Sequence, residues 1–127
     1  MGEARLLRGK AAEKRGRTSE SLAALVLVLK FYRILGRRVR TPVGEIDLIA
    51  RSPGGILCFI EVKARQHTLA ALESVSARQR NRIARAAHLW LAARPGLKIR
   101  ALRYDIITIA PNRLPRHLRD AWRDEGR

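Results

Sequence analysis

Four residues near the middle of the chain have types and spacing suited to holding a divalent cation. Glu45 and Asp47 precede Pro53-Gly54-Gly55, and Glu61 and Lys63 follow it. Pro-Gly-Gly between two runs rich in Ile, Leu, Val and Phe reads as a hairpin loop. With that loop Ser52 faces Ile56, and counting back along both strands sets Asp47 opposite Glu61 and Glu45 opposite Lys63. Directly opposed Cβ atoms lie ~4.5–5.5 Å apart, where like charges destabilise a sheet. At an effective dielectric of about 20, two unit charges about 5 Å apart repel by roughly 3 kcal/mol. A divalent cation cancels that repulsion and turns the pair into ligands; magnesium commonly takes one or two carboxylates and completes its shell with water and substrate phosphate. The competing reading is a salt-bridge patch in which Glu45 pairs with Lys63 and Lys63 shields Glu61, worth ~0–1 kcal/mol per exposed pair. Spacing alone leaves both open. The scarcity of acids tilts the balance toward a site: three of the eleven fall in this hairpin, while none lies between Ser21 and Gly44 or between Ser74 and Tyr104.

The elements that must position these side chains follow from periodicity and breakers. Along the hairpin, Ile46, Leu48, Ala50, Ile56, Cys58, Ile60 and Val62 alternate onto one wholly apolar face. The other face carries Ile49, Leu57 and Phe59 near the turn, then Asp47, Glu61, Glu45 and Lys63 at the open end. A one-residue slip would bury the carboxylates among the apolar set, so the register is well specified. Before the hairpin, Thr18 or Ser19 can cap a largely buried helix that runs to about Leu35 and stops at Gly36. Short strands are expected around Arg38–Arg40, from Glu45 to Arg51 and from Ile56 to Ala64. A second helix is expected from Ser76 to Ala93, halted by Pro95-Gly96, and a fourth strand from Ala101 to Ile109, ended by Pro111. The order α-β-β-β-α-β implies an α/β or α+β domain with a mixed sheet. That domain spans 18–110, between a basic arm over 1–17 and a basic tail over 111–127 with a short helix around Trp122.

Composition bounds the partners. The 127 residues hold 27 Lys plus Arg against 11 acids, a formal charge of +16. All but five of those cations are arginine, whose planar fork suits phosphate. A charge of this size points to a polyanionic partner. One cysteine excludes an intramolecular disulfide and a Cys-ligated zinc site, and the three histidines (67, 88, 117) show no ligand spacing. The longest apolar run, Leu22 to Leu29, is too short to span a bilayer, and no signal-peptide pattern opens the chain; a cytoplasmic protein with no membrane partner is expected.

Gly44-Glu45-Ile46-Asp47-Leu48-Ile49, followed by Phe59-Ile60-Glu61-Val62-Lys63, resembles the YraN-like family of uncharacterised bacterial proteins. The resemblance runs from about Gly16 to Ala110, taking in Glu20 and Ala24 in the first helix and Arg103-Tyr104-Asp105 in the last strand. It implies a restriction-endonuclease-like PD-(D/E)xK fold, a mixed central sheet flanked by helices, similar in layout to archaeal Holliday-junction resolvases. By that resemblance Asp47 and Glu61 are ligands of Mg²⁺ or Mn²⁺, with the Val62 carbonyl as a third. Lys63 orients the attacking water and stabilises charge on the phosphate, and Glu20 completes the site or helps a second metal. Glu45 matches the motif's first acid. Gln79 and Asp105 are accessory candidates; the family often has Lys-Gln early in the second helix, where this chain reads Ala77-Arg78-Gln79-Arg80.

Arg78, Arg82 and Arg85 form one stripe on the second helix, with Ile83, Ala87 and Trp90 on another face. Arg37, Arg38 and Arg40 precede the hairpin and Arg65 follows it, so all seven can flank one cleft and contact phosphates in a sequence-independent, salt-sensitive way. The few aromatics show no stacking pattern of the kind single strands need. Two functions of different class follow: a metal-dependent DNA endonuclease, acting on branched or processed DNA, or a nucleic-acid-binding module that keeps the nuclease fold without turnover. An RNA- or ribosome-associated basic protein is supported by charge alone. Homodimerisation is compatible with the resemblance to the resolvases.

Overall fold

The computed structural model describes residues 18–64 and 68–124. The expected basic arm over 1–17, and Arg65, lie outside the described residues. A helix occupying 18–29, α1, opens the described chain. It is followed by β1 (Arg33–Thr41), β2 (Gly44–Arg51), β3 (Ile56–Lys63), α2 (Thr68–Glu73), α3 (Ala77–Ala92), β4 (Ala101–Thr108) and β5 (Arg116–Trp122). The five strands form one sheet in sequence order. Neighbours are antiparallel except β3 and β4, which run parallel across the α2–α3 crossover. The architecture is a mixed α/β sheet flanked by helices, with the order α-β-β-β-α-β extended by the short α2 and by β5.

The first helix ends earlier than Gly36 suggested. Thr18 and Ser19, expected as caps, are already helical. The stop is Phe31, in the left-handed region at φ 66. The Tyr32 amide donates to the Leu27 carbonyl (2.9 Å) and the Phe31 amide to that of Val28 (3.0 Å). That is the Schellman pattern with Phe where Gly is usual, and the usual apolar contact accompanies it, because Tyr32 and Leu27 share one buried cluster. Leu35 and Gly36 therefore lie in β1, which is far longer than the expected Arg38–Arg40 piece. A bulge between Ile34 and Gly36 breaks its alternation, and there a Cβ on Gly36 would stand 2.6 Å from Val39 Cγ2.

The β2–β3 hairpin has the register read from the sequence: Arg51 faces Leu57, Ala50 Cys58, Ile49 Phe59 and Leu48 Ile60. Ser52 closes the loop through its amide to the Ile56 carbonyl (2.8 Å), while the Ile56 amide returns to Ser52 Oγ (3.0 Å). Gly55 takes φ +87, which only glycine adopts freely.

Two apolar layers result. Ala23, Ala24 and Leu27 of α1 cover Leu48, Ala50, Cys58, Ile60 and Ile107. On the other side Ala71 and Val75 join Ile83, Ala84, Ala87 and Trp90 of α3 over Ile49, Leu57, Phe59 and Ile106. The sequence alternation put Ile46 with Leu48, but it packs in the α3 layer instead. At that end β2 has left its ladder with β3 and leans on α3, a Cβ at Gly44 lying 3.6 Å from Arg82 Cβ. α3 starts at its Ser76 cap, whose hydroxyl accepts the Gln79 amide (3.1 Å).

The region expected as a short helix around Trp122 is strand β5. Its pairing with β4 is interrupted by a bulge, where Asp120 takes φ 54. Trp122 is buried and stacks on Tyr104, ring centroids 4.1 Å apart. That aromatic contact and the β4 ladder override the weak helical tendency of a polar segment. Residues 116–122 thus complete the sheet rather than trail from it. Among the described residues no helix is long and apolar enough to cross a membrane.

Candidate active site

The last β2–β3 rung is Leu48–Ile60, and beyond it the two strands part. Asp47 and Glu61 stand at that fork. The Val62 amide, freed from the ladder, donates to Asp47 Oδ2 at 2.8 Å, so a side-chain acceptor replaces a backbone rung and fixes the carboxylate against the start of the β3 tip. Glu61 is half-buried beside it. Burial first, then the charge and hydrogen bonding of Asp47, push the Glu61 carboxyl far above the usual range, to about 9; Lys63 opposes the shift and Glu45 adds to it. Glu61 therefore keeps its proton at neutral pH and shares it with Asp47, and Lys63 offsets only part of the cost of ionising it. Lys63 stands half-buried at the end of β3, its carbonyl accepting the Ile109 amide (2.9 Å).

The first helix adds a third acid. Glu20, buried, is held between two guanidiniums: Arg37 Nε is 3.5 Å from Oε1, and Arg38 Nε is 3.4 Å from Oε2. Arg37 also donates to Ser21 Oγ (2.9 Å). Burial raises the Glu20 pKa, against the pull of Arg37 and Arg38, and Asp47 raises it further, so Glu20 senses the fork. Glu45 takes its ion pairs from β1 and not from Lys63, the partner that the hairpin register offered. It sits opposite Arg40 in the β1–β2 ladder and pairs with Arg40 (3.9 Å) and Arg38 (4.0 Å). Arg37, Arg38 and Arg40, read as phosphate contacts, are thus turned toward acids on the same surface.

On α3, Arg78, Arg82 and Arg85 are exposed as expected, while Gln79 is half-buried. Arg82 adjoins Gly44 at the start of β2, which brings this stripe to the open end of the hairpin.

Asp105 belongs to a different centre, on the α1 side of the sheet. Fully buried, it accepts from Arg103 Nε (2.8 Å) and Nη2 (2.9 Å), from His117 Nε2 (2.7 Å) and from the Asp120 amide (2.9 Å). Arg103 also reaches Tyr32 Oη (2.8 Å), and Lys30 Nζ meets His117 Nδ1 (2.7 Å). Burial alone would raise the Asp105 pKa, but the hydrogen bonds from His117, Arg103 and Asp120 outweigh it and the net shift is downward. A carboxylate with four donors is a bolt joining β4, β5 and the end of α1. The Arg-x-Asp spacing on one strand face signals the first pair; nothing in the sequence signals His117. A concavity of about 410 Å³ near Ile56, His88, Tyr104 and Trp122 contains none of the fork residues.

Two adjoining carboxyl groups that cannot both ionise without cost, beside a lysine, fit a hard cation with oxygen ligands, which would displace the shared proton. Among the described residues no three His, Cys, Asp or Glu side chains converge as a ready-made metal group, so any further ligands would be backbone, water or substrate oxygens.

The model of the uncharacterised protein family UPF0102 matches residues 19–109. A UPF0102 protein of Maricaulis maris is 53% identical over 111 residues, covering 87% of each chain. One from Caulobacter sp. strain K31 is 50% identical over 119 residues, 94% of this chain and 85% of the relative. One from Rhizobium johnstonii is 49% identical over 124 residues, 96% of this chain and all of the relative.

Proposed function

The chain belongs to the UPF0102 (YraN-like) family, and from that premise and the strand fork we propose that it is a divalent-metal-dependent endonuclease of the PD-(D/E)xK kind. It hydrolyses DNA phosphodiester bonds, with selectivity for branched or processed DNA. The observation that carries the reading is the meeting of Asp47 and Glu61 at the point where β2 and β3 part, with Lys63 two residues beyond Glu61. Asp47 and Glu61 would hold Mg²⁺ or Mn²⁺, with the Val62 carbonyl as a third ligand. When bound, the ion supplies Lewis acidity toward the phosphate and a water of lowered pKa.

The remaining work falls to the protein. The Val62 amide fixes Asp47, so one ligand is oriented before anything binds. Lys63 places positive charge where the phosphate gains negative charge and orients the attacking water. Glu20, which feels the charge of Asp47, is an additional acid. Arg78, Arg82 and Arg85 hold flanking phosphates and contribute affinity without sequence choice. A binding module without turnover is the second reading, and one observation favours it: Glu20 is engaged by Arg37 and Arg38 rather than facing an open ligand position.

The test is cleavage of labelled duplex, flap, four-way junction, single-stranded DNA and RNA with Mg²⁺, Mn²⁺ or EDTA, beside Glu61→Ala and Lys63→Ala. Metal-dependent cutting lost in both variants, with binding kept, supports the nuclease. Salt-sensitive binding with no cutting on any substrate leaves the binding module.

A further inference from the structure

Arg38 occupies an unusual place in β1. Its neighbours Arg37 and Val39 pair with Leu48 and Ile46, which sets Arg38 opposite Asp47. Its backbone is in the left-handed region, φ 49, inside a strand and without glycine's freedom. Non-glycine residues in that region persist where the surroundings over-determine them, and they concentrate at functional and switching sites. Here the surroundings are acids. The guanidinium lies 3.4 Å from Glu20 Oε2 and 4.0 Å from Glu45 Oε1, with its side chain 42% exposed. Arg37, by contrast, has Ser21 Oγ as a further anchor.

We infer that Arg38 is a built-in counter-cation of the acid cluster, holding Glu20 in the metal-free protein and competing with the divalent cation for it. The inference rests on the metal-dependent reading above and adds the regulation of that site. Asp47 acts electrostatically on both Glu20 and Glu61, yet among the described residues the three do not converge as a metal group. Glu20 is the acid that two guanidiniums hold back. An ion held at the fork would offer Glu20 a stronger partner, and the half-exposed Arg38 would then be released to solvent or to a phosphate. Its planar fork suits either anion.

Mn²⁺ titration of the full chain, followed by the electron paramagnetic resonance of free Mn²⁺, tests the exchange. Arg38→Gly removes the guanidinium and suits the positive φ; Arg38→Gln is the second variant, and circular dichroism checks the fold of both. Arg40→Gln removes the same charge beside Glu45 without touching Glu20. Arg38→Gly and Arg38→Gln are expected to bind Mn²⁺ on the order of tenfold more tightly than wild type, within the usual range of coupling between sites. Arg40→Gln should gain far less, and Glu20→Gln combined with Arg38→Gly should abolish the gain. Equal gains for the Arg38 and Arg40 variants, or a gain that survives Glu20→Gln, overturn the inference. Asp47→Asn separates the two readings: if it leaves Mn²⁺ binding unchanged, the metal site itself fails and the exchange with it. If it weakens binding while Arg38 variants match wild type, only the exchange falls.

Discussion

The Val62 amide, two residues past the last rung of the β2–β3 ladder, donates to Asp47 Oδ2 at 2.8 Å. A carboxylate thereby does the work of a strand. Asp47→Ala should free this amide, so its hydrogen exchange should accelerate in the variant while the Leu48 and Ile60 amides keep their protection. Global stability should fall by about 1.5–3 kcal/mol, the range for a hydrogen bond to a charged group. Unchanged exchange at Val62 would mean the contact does not hold the fork.

Glu61 makes the stability of the metal-free protein depend on pH. Its folded value lies above the unfolded one, so the protonated form favours folding. That contribution is intact below the ordinary carboxylate value of 4.5 and is lost as pH climbs toward about 9. Glu61→Gln, which cannot ionise, should therefore gain on wild type between pH 5 and pH 9, read from urea midpoints at each pH. Added Mg²⁺ should narrow the gap at high pH by stabilising the wild type alone. A gap that stays constant with pH counts against the buried repulsion.

Asp105 has the opposite sign. Its pKa is depressed, so its contribution is present above the unfolded value and disappears as pH falls through the folded one. Asp105→Asn leaves Arg103 with an uncompensated charge in a site that is nearly closed. The expected loss is about 3–5 kcal/mol, as for a broken buried pair. DNA binding by folded protein at low temperature should be unaffected, because the bolt lies apart from the fork.

Much of the hairpin was legible because its determinants are local. Pro53-Gly54-Gly55 fixes the turn, the turn fixes the register, and the register brings Asp47 to Glu61. Ser76 and Pro95-Gly96 likewise bracket α3. The end of α1 was not legible, because Phe31 stops it with its backbone while its side chain is 85% exposed. Rules that look for glycine pass over such a residue, and Leu35-Gly36 then reads as helix instead of a bulged strand. β5 was hidden for another reason. Arg116 to Trp122 has no strand alternation of its own, and its place depends on Tyr104 and Asp105, distant in sequence. The clamp on Glu20 followed from the same gap, since it requires knowing that α1 stops early enough for β1 to pass beneath it.

Phe31 offers a direct check on that stop. A left-handed non-glycine residue costs roughly 1–2 kcal/mol, and this side chain buries little. Phe31→Gly should be neutral or stabilising by up to ~1 kcal/mol, after the greater freedom of glycine in the unfolded chain is subtracted. A clear loss in thermal unfolding would show that Phe31 packs on something.

The arginine stripe predicts a salt signature. Arg82→Ala and Arg85→Ala should each weaken DNA binding equally across sequences and reduce the slope of log affinity against log salt by about one. Sequence-dependent losses would indicate base contact instead.

The loop between β2 and β3 also orders events in time. A hairpin of this kind closes in roughly 1–10 μs, whereas β3 can pair with β4 only after the whole α2–α3 crossover has been threaded back, a non-local step that forms later. Asp47 and Glu61 are thus brought together while water still surrounds them, and their repulsion is screened on encounter. The fold closes over a pair already in place, so the nascent chain meets the tension of its site gradually, as solvent leaves.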